Sequence, residues 1–170
     1  MKKRIPLALA TLALSALLAA SALAAGALHL ATSSNPTLGK TVLVNPAGRT
    51  LYTLSDESSG HLLCTSKQCL ALWPPLTVGS KTAKVTMPSS VHGKLGTVKR
   101  ADGAWQVTLG GRPVYRYHGD TAAGQAHGEG LRLAGGVWHA VTAAGATPAP
   151  VMQPTAPSMP SEAPASPYGY

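Results

Sequence analysis

The residues able to do chemistry are few and unevenly placed. The chain holds only six Asp/Glu among 170 residues. Five lie between its two ends: Asp56, Glu57, Asp102, Asp120 and Glu129. Two of these stand five residues after a tyrosine, Glu57 after Tyr52 and Asp120 after Tyr115. Such a pair can be read in three ways. Two carboxylates facing one cleft could serve as acid and base, or acid and nucleophile, on a glycosidic bond. Carboxylates beside tyrosine hydroxyls could orient the polar group of a ligand in a pocket shared between the two positions. The third use is structural: tyrosine rings fill a sheet face, their hydroxyls reach a partner, and the acid accepts the N–H groups of a turn.

Histidine and cysteine add two further chemistries. Histidines stand at 29, 61, 92, 118, 127 and 139, and His118, His127 and His139 fall in one stretch of the chain. Imidazoles of this kind serve extracytoplasmic copper or haem sites, so these three are the candidate metal ligands, although their spacing is not diagnostic. Covalent haem attachment would need Cys-x-x-Cys-His, which is absent. The two cysteines, Cys64 and Cys69, lack the Cys-x-x-Cys redox spacing and are expected to form a disulfide in an oxidising compartment. No Gly-x-Ser-x-Gly elbow or His-Glu-x-x-His pair occurs. No cofactor is expected.

The elements that must position these residues read as short strands and tight turns. Thr41–Val44 leads through Asn45-Pro46-Ala47-Gly48 into Arg49–Leu54. Thr97–Arg100 meets Ala101-Asp102-Gly103 and then Ala104–Leu109. Gly110-Gly111 leads into Arg112–Tyr117, and Leu131–Ala134 meets Gly135-Gly136 before Val137–Thr142. Asp-Gly and Gly-Gly supply the positive φ angles of tight hairpins. Leu28–Thr32 is one more strand candidate, and 79–96 reads as a long loop. One helical turn is expected around Gln68–Leu72, ended by Trp73-Pro74-Pro75. Tyr115 and Tyr117 share one strand face and Val114 the other. With no Phe, tyrosine and tryptophan supply all the aromatic volume. The expected fold class is all-β: a small antiparallel meander, sandwich or barrel-like, of about seven or eight short strands.

Both ends differ from this middle. Lys2, Lys3 and Arg4 precede an uncharged Leu/Ala run that closes with Ala22-Leu23-Ala24, the pattern of a secretory signal peptide over 1–24. The rival reading is a retained membrane anchor; cleavage leaves no stable membrane insertion. Residues 145–170 are rich in Pro, Ala and Ser and too poor in apolar periodicity to fold, so a disordered tail is expected. The β domain is thus 25–144. Removing the leader takes three positive charges from a total of 14 Lys/Arg, and the balance stays positive. The lysines are spread singly, without interleaved aromatics. That argues against nucleic acid and for at most weak affinity toward anionic envelope polymers.

The domain carries an internal repeat, about 38–76 and 97–142. Gly48-Arg49-Thr50-Leu51-Tyr52-Thr53-Leu54 parallels Gly111-Arg112-Pro113-Val114-Tyr115-Arg116-Tyr117. An acid follows each tyrosine, and a tryptophan follows later, Trp73 after 21 residues and Trp138 after 23. Two such copies could pair around a pseudo-twofold. On these residues the chain resembles the bacterial secreted-repeat family, also described as lipoproteins with a Y-x-[FWY]-x-x-D motif. Tyr115-Arg116-Tyr117-His118-Gly119-Asp120 carries that motif in full; Leu54 and Glu57 are the two departures in the first copy. Leu38-Gly39-Lys40, the Cys-x4-Cys pair, Trp73-Pro74-Pro75-Leu76, Asp102-Gly103 and Gly136-Val137-Trp138 also look like the family. No cysteine follows the apolar run, unlike the lipoprotein members. The resemblance implies export and no assigned reaction.

The expectation is therefore an exported, non-catalytic β-module, periplasmic, cell-surface or secreted. It would bind an envelope ligand or protein through a site near Tyr52, Glu57, Tyr115, Tyr117 and Asp120. The alternatives are a periplasmic metal- or haem-handling protein using His118, His127 and His139, and a small envelope hydrolase using the acidic motif residues.

Overall fold

The computed structural model describes residues 27–145. The leader at 1–24 and the Pro-rich tail beyond Gly145 lie outside the described residues.

The chain folds as β1 (Leu28–His29), β2 (Ala31–Asn35), β3 (Lys40–Val44), β4 (Leu51–Leu54), α1 (Lys67–Leu72), β5 (Thr77–Val78) and β6 (Val85–Thr86). It continues as β7 (Leu95–Lys99), β8 (Trp105–Leu109), β9 (Arg112–Pro113), β10 (Tyr115–Arg116), β11 (Arg132–Leu133) and β12 (Gly136–Ala140). The class is all-β as expected, in several small sheets of which none closes into a barrel. The strands exceed the seven or eight expected because single runs break in two: Arg112–Tyr117 becomes β9 and β10, and Leu28–Thr32 divides between β1 and β2. The stretch 79–96 is not all loop. Its Val85–Thr86 pairs in parallel with Leu28–His29, and its end opens β7.

Turn chemistry sets the hairpins. Gly110 and Gly111, at φ 58° and 77°, join β8 to β9 with Leu109 opposite Arg112. The last hairpin turns on Ala134-Gly135 rather than Gly135-Gly136, with Leu133 opposite Gly136. Ala134 thereby takes φ 56°, the one non-glycine residue with positive φ among those described. Its register is fixed by β12, whose Trp138 and Ala140 must face inward.

The copies are interleaved rather than side by side. One four-stranded sheet runs β10-β4-β12-β11, so the tyrosine strands of both copies are neighbours in it. A second runs β5-β8-β7 with β9 on β8. Strands β3 and β4 are apolar on both faces. Val42, Val44, Tyr52 and Leu54 enter one core with Trp73, Tyr115 and Trp138. Leu43 and Leu51 enter the other with Leu76, Val107, Leu109, Val114 and Val141. Burial on both sides explains why these runs lack a polar alternation.

Candidate functional site

Antiparallel pairing of β4 with β10 sets Tyr52 directly opposite Tyr115. Each tyrosine then reaches past its own copy. The Tyr115 hydroxyl donates to Glu57 Oε1 at 2.9 Å, and the Tyr52 hydroxyl donates to Asp120 Oδ2 at 2.5 Å. The two acids are pulled inward, Glu57 to 1% exposure and Asp120 to 5%.

Backbone donors complete both acids in the same way. Glu57 Oε1 accepts the N–H of Leu63 and, seven residues on, of Cys64. Asp120 Oδ1 accepts the N–H of His127, also seven residues on. A carboxylate fed by turn N–H groups and a tyrosine hydroxyl has most of its hydrogen-bonding capacity met inside the protein. Glu57 Oε2 is the exception, a buried oxygen with no partner among the described residues.

Arginines repeat the exchange. Arg49, three residues before Tyr52, donates to the Asp120 carbonyl. Arg112, three residues before Tyr115, donates to the carbonyls of Leu54 and Ser55 and, at 3.5 Å, of Glu57. Each copy's arginine therefore closes the other copy's acidic turn. Trp73 and Trp138 meet between the halves, stacked with centroids 3.8 Å apart and planes 4° apart.

The tyrosines pay for burial in proton affinity. Loss of water around Tyr52, then the hydrogen bond to Asp120, raises its hydroxyl far above the ordinary range. Burial, then the charge of Glu57, does the same to Tyr115, with Arg100 opposing. Arg100 is a residue the sequence pattern did not single out. It is 5% exposed and donates to the Cys64 carbonyl at 2.6 Å, to Gln106 Oε1 and to the Tyr115 hydroxyl. It links the disulfide loop, the β7–β8 hairpin and the motif. Cys64 and Cys69 are bonded, and Ser66 caps the helix that carries Cys69 by accepting the Cys69 N–H.

The expected site residues thus separate. Tyr52, Glu57, Tyr115 and Asp120 form two crossed pairs in the interior. Glu57 and Asp120 do not face one open cleft. Tyr117 is half-buried against Trp73, centroids 4.5 Å apart. The three histidines take separate places. His139 Nδ1 lies 3.0 Å from Glu129, His127 Nδ1 lies 3.5 Å from Asp120, and His118 is exposed at a surface cavity. Among the described residues no three His, Cys, Asp or Glu come together in a way that could hold a metal ion.

Folding also sorts the charges. Lys40, Lys67, Lys81, Lys84, Lys94, Lys99, Arg116 and Arg132 are exposed, against only Asp56 and Asp102 of the acids. Among the described residues the ion pairs to carboxylates come from histidine alone. The exposed surface keeps the positive sign of the sequence, since Arg49, Arg100 and Arg112 are withdrawn from it along with Glu57, Asp120 and Glu129.

The second half of this crossed arrangement has a known counterpart. Residues 96–142 match a secreted repeat of unknown function. The matched stretch of the secreted repeat runs from β7 through β12, and so holds the complete Tyr115–Asp120 motif and Trp138. It agrees with the resemblance read from the motifs and with export in general. The first copy lies outside the matched residues. No curated protein and no solved structure matches the chain. Among the described residues no helix is long and apolar enough to cross a membrane.

Proposed function

We propose that the protein is an exported, non-catalytic β-module that binds anionic polymer at the cell envelope. One observation carries this reading: eight Lys and Arg side chains are exposed against two acids. A surface on which basic groups outnumber carboxylates attracts polyanions over the Debye length and releases them in salt. The interior use of Glu57 and Asp120 supports a role for the motif in holding the halves together rather than in turnover. The disulfide suits an oxidising compartment, periplasmic or outside the cell.

The test is co-sedimentation of the exported protein with isolated envelope fragments at low salt and at about 0.5 M salt, where charges are screened within a few ångströms. Binding at low salt that is lost at high salt is expected. Equal recovery in the supernatant at both salts overturns the reading. No observation in the site favours the metal- or haem-handling alternative or the hydrolase.

A further inference from the structure

Repeat symmetry accounts for the tyrosines, the acids, the arginines before them and the tryptophans. It does not account for Arg116 and His118. Their counterparts one and three residues after Tyr52 are Thr53 and Ser55. Thr53 is buried where β12 pairs beside β4, with His139 opposite it. Strand β10 is instead the end strand of that sheet, and both Arg116 and His118 are exposed. The scaffold therefore does not require these two side chains, and neither makes a side-chain hydrogen bond to any of the described residues.

They open onto a cavity of about 370 Å³ lined also by Asn45, Arg49, Tyr117 and Asp120. Arg49 uses one nitrogen on the Asp120 carbonyl. A guanidinium has five N–H donors, so most of its fork remains for a guest. Its counterpart Arg112 is placed differently, with one nitrogen set among three carbonyls. Asp120 offers the cavity no free side-chain oxygen. Its side chain is 1% exposed, with Oδ2 on Tyr52 and Oδ1 on the His127 N–H. The cavity thus offers two guanidinium groups and an imidazole, while its single carboxylate is turned inward and occupied.

We propose that this cavity binds a phosphate ester. Two arginine forks suit a tetrahedral oxyanion better than a single carboxylate, and the volume admits a phosphate with a small alcohol or sugar attached. The proposal rests on the polyanion reading and deepens it: dispersed lysines supply attraction, and Arg49, Arg116 and His118 supply the seat.

The test is amide NMR of the exported chain titrated with inorganic phosphate, glycerol 3-phosphate and acetate, and with vesicles of phosphatidylglycerol or phosphatidylcholine. Saturable shifts at Arg116, Tyr117, His118 and Thr121 are expected with both phosphates and not with acetate. Arg116→Gln and His118→Gln should melt like the parent, and Arg116→Gln should bind inorganic phosphate about tenfold more weakly or worse, the usual loss of a charge-assisted hydrogen bond. Lys81→Gln, beside a different cavity, should bind normally. The same shifts with phosphatidylglycerol vesicles support a lipid headgroup as source, and shifts with the two soluble phosphates but with neither vesicle support a free or polymer-borne ester. Absence of saturable shifts, equal shifts with acetate, or unchanged affinity in both variants overturns the proposal. If salt-sensitive co-sedimentation survives such a result, only the cavity assignment falls and the polyanion reading stands.

Discussion

Trp73 and Trp138 stack face to face at 3.8 Å, and they occupy matching places in two copies of one repeat. Around them the tyrosine–acid bonds and the arginine–turn bonds cross between copies. Tyr52 holds Asp120, Tyr115 holds Glu57, Arg49 closes the turn of the second copy and Arg112 that of the first. Neither copy completes its own motif. The Tyr-to-acid spacing seen in the sequence is the distance at which each element supplies one half of a pair to its twin.

The crossed pairs make stability sensitive to alkali. Tyr52 and Tyr115 have hydroxyls raised in the folded state, so folding favours their protonated forms. Their contribution is fully present below the unfolded tyrosine value of about 10, and is lost as pH climbs above it, because the unfolded chain then ionises first. The melting temperature should hold steady between about pH 7 and 9 and fall above about pH 10. Tyrosinate absorbance from these two residues should appear together with unfolding. Ionisation of all the tyrosines before any loss of structure would contradict it.

Arg100 should be among the least replaceable side chains. Its fork joins the Cys64 carbonyl, Gln106 and Tyr115. A lysine keeps the charge but cannot span these acceptors. Arg100→Lys is expected to cost about 2–4 kcal/mol, since buried acceptors and a buried charge lose partners together. Chemical denaturation reads this directly. A change within experimental scatter would mean that the fork does not hold the motif.

Arg100 also shows what a sequence can and cannot disclose. The hairpins, the short helix, the cysteine pair and the two motif copies were legible because each depends on neighbours in the chain: Gly-Gly turns, a Pro-Pro stop, strand alternation. Partner choice was not. Tyr52 and Asp120 are 68 residues apart, and their meeting depends on β10 lying beside β4. Arg100 stood at the end of a strand, where arginines are usually solvated, and only the fold of the disulfide loop over it makes it interior. The loop expected over 79–96 hid β6 because a two-residue strand has no period to read. The turn of the last hairpin moved by one residue because packing of Trp138 overrode the preference of Gly135-Gly136.

The disulfide should help modestly. The bond closes a small ring, residues 64 to 69, for which chain entropy gives about 2 kcal/mol. Free-thiol labelling of native protein should find none, and reduction should lower the melting temperature by several degrees without abolishing folding. Complete unfolding on reduction would show that the loop depends on the bond more than on Ser66, Glu57 and Arg100.

Asp120 separates a structural motif from a ligand motif. Its carboxylate accepts from Tyr52 and from the His127 N–H, and its backbone carbonyl takes Arg49. Asp120→Ala removes both side-chain acceptors, leaving the buried Tyr52 hydroxyl with no group to donate to and the part-buried His127 N–H without its acceptor, at about 1–3 kcal/mol for each group. For a domain of this size that lowers the melting temperature by roughly 10 °C or more. Asp120→Asn keeps one acceptor oxygen and should fall between. Tyr52→Phe removes only the hydroxyl, and its loss should not add to that of Asp120→Ala, because the double variant has no such pair left to break. A double-mutant cycle by thermal and urea melts gives the coupling, expected at about 1 kcal/mol or more. Near-zero coupling, with both single variants melting like the parent, would remove Asp120 from the scaffold. The acid would then face a guest rather than Tyr52.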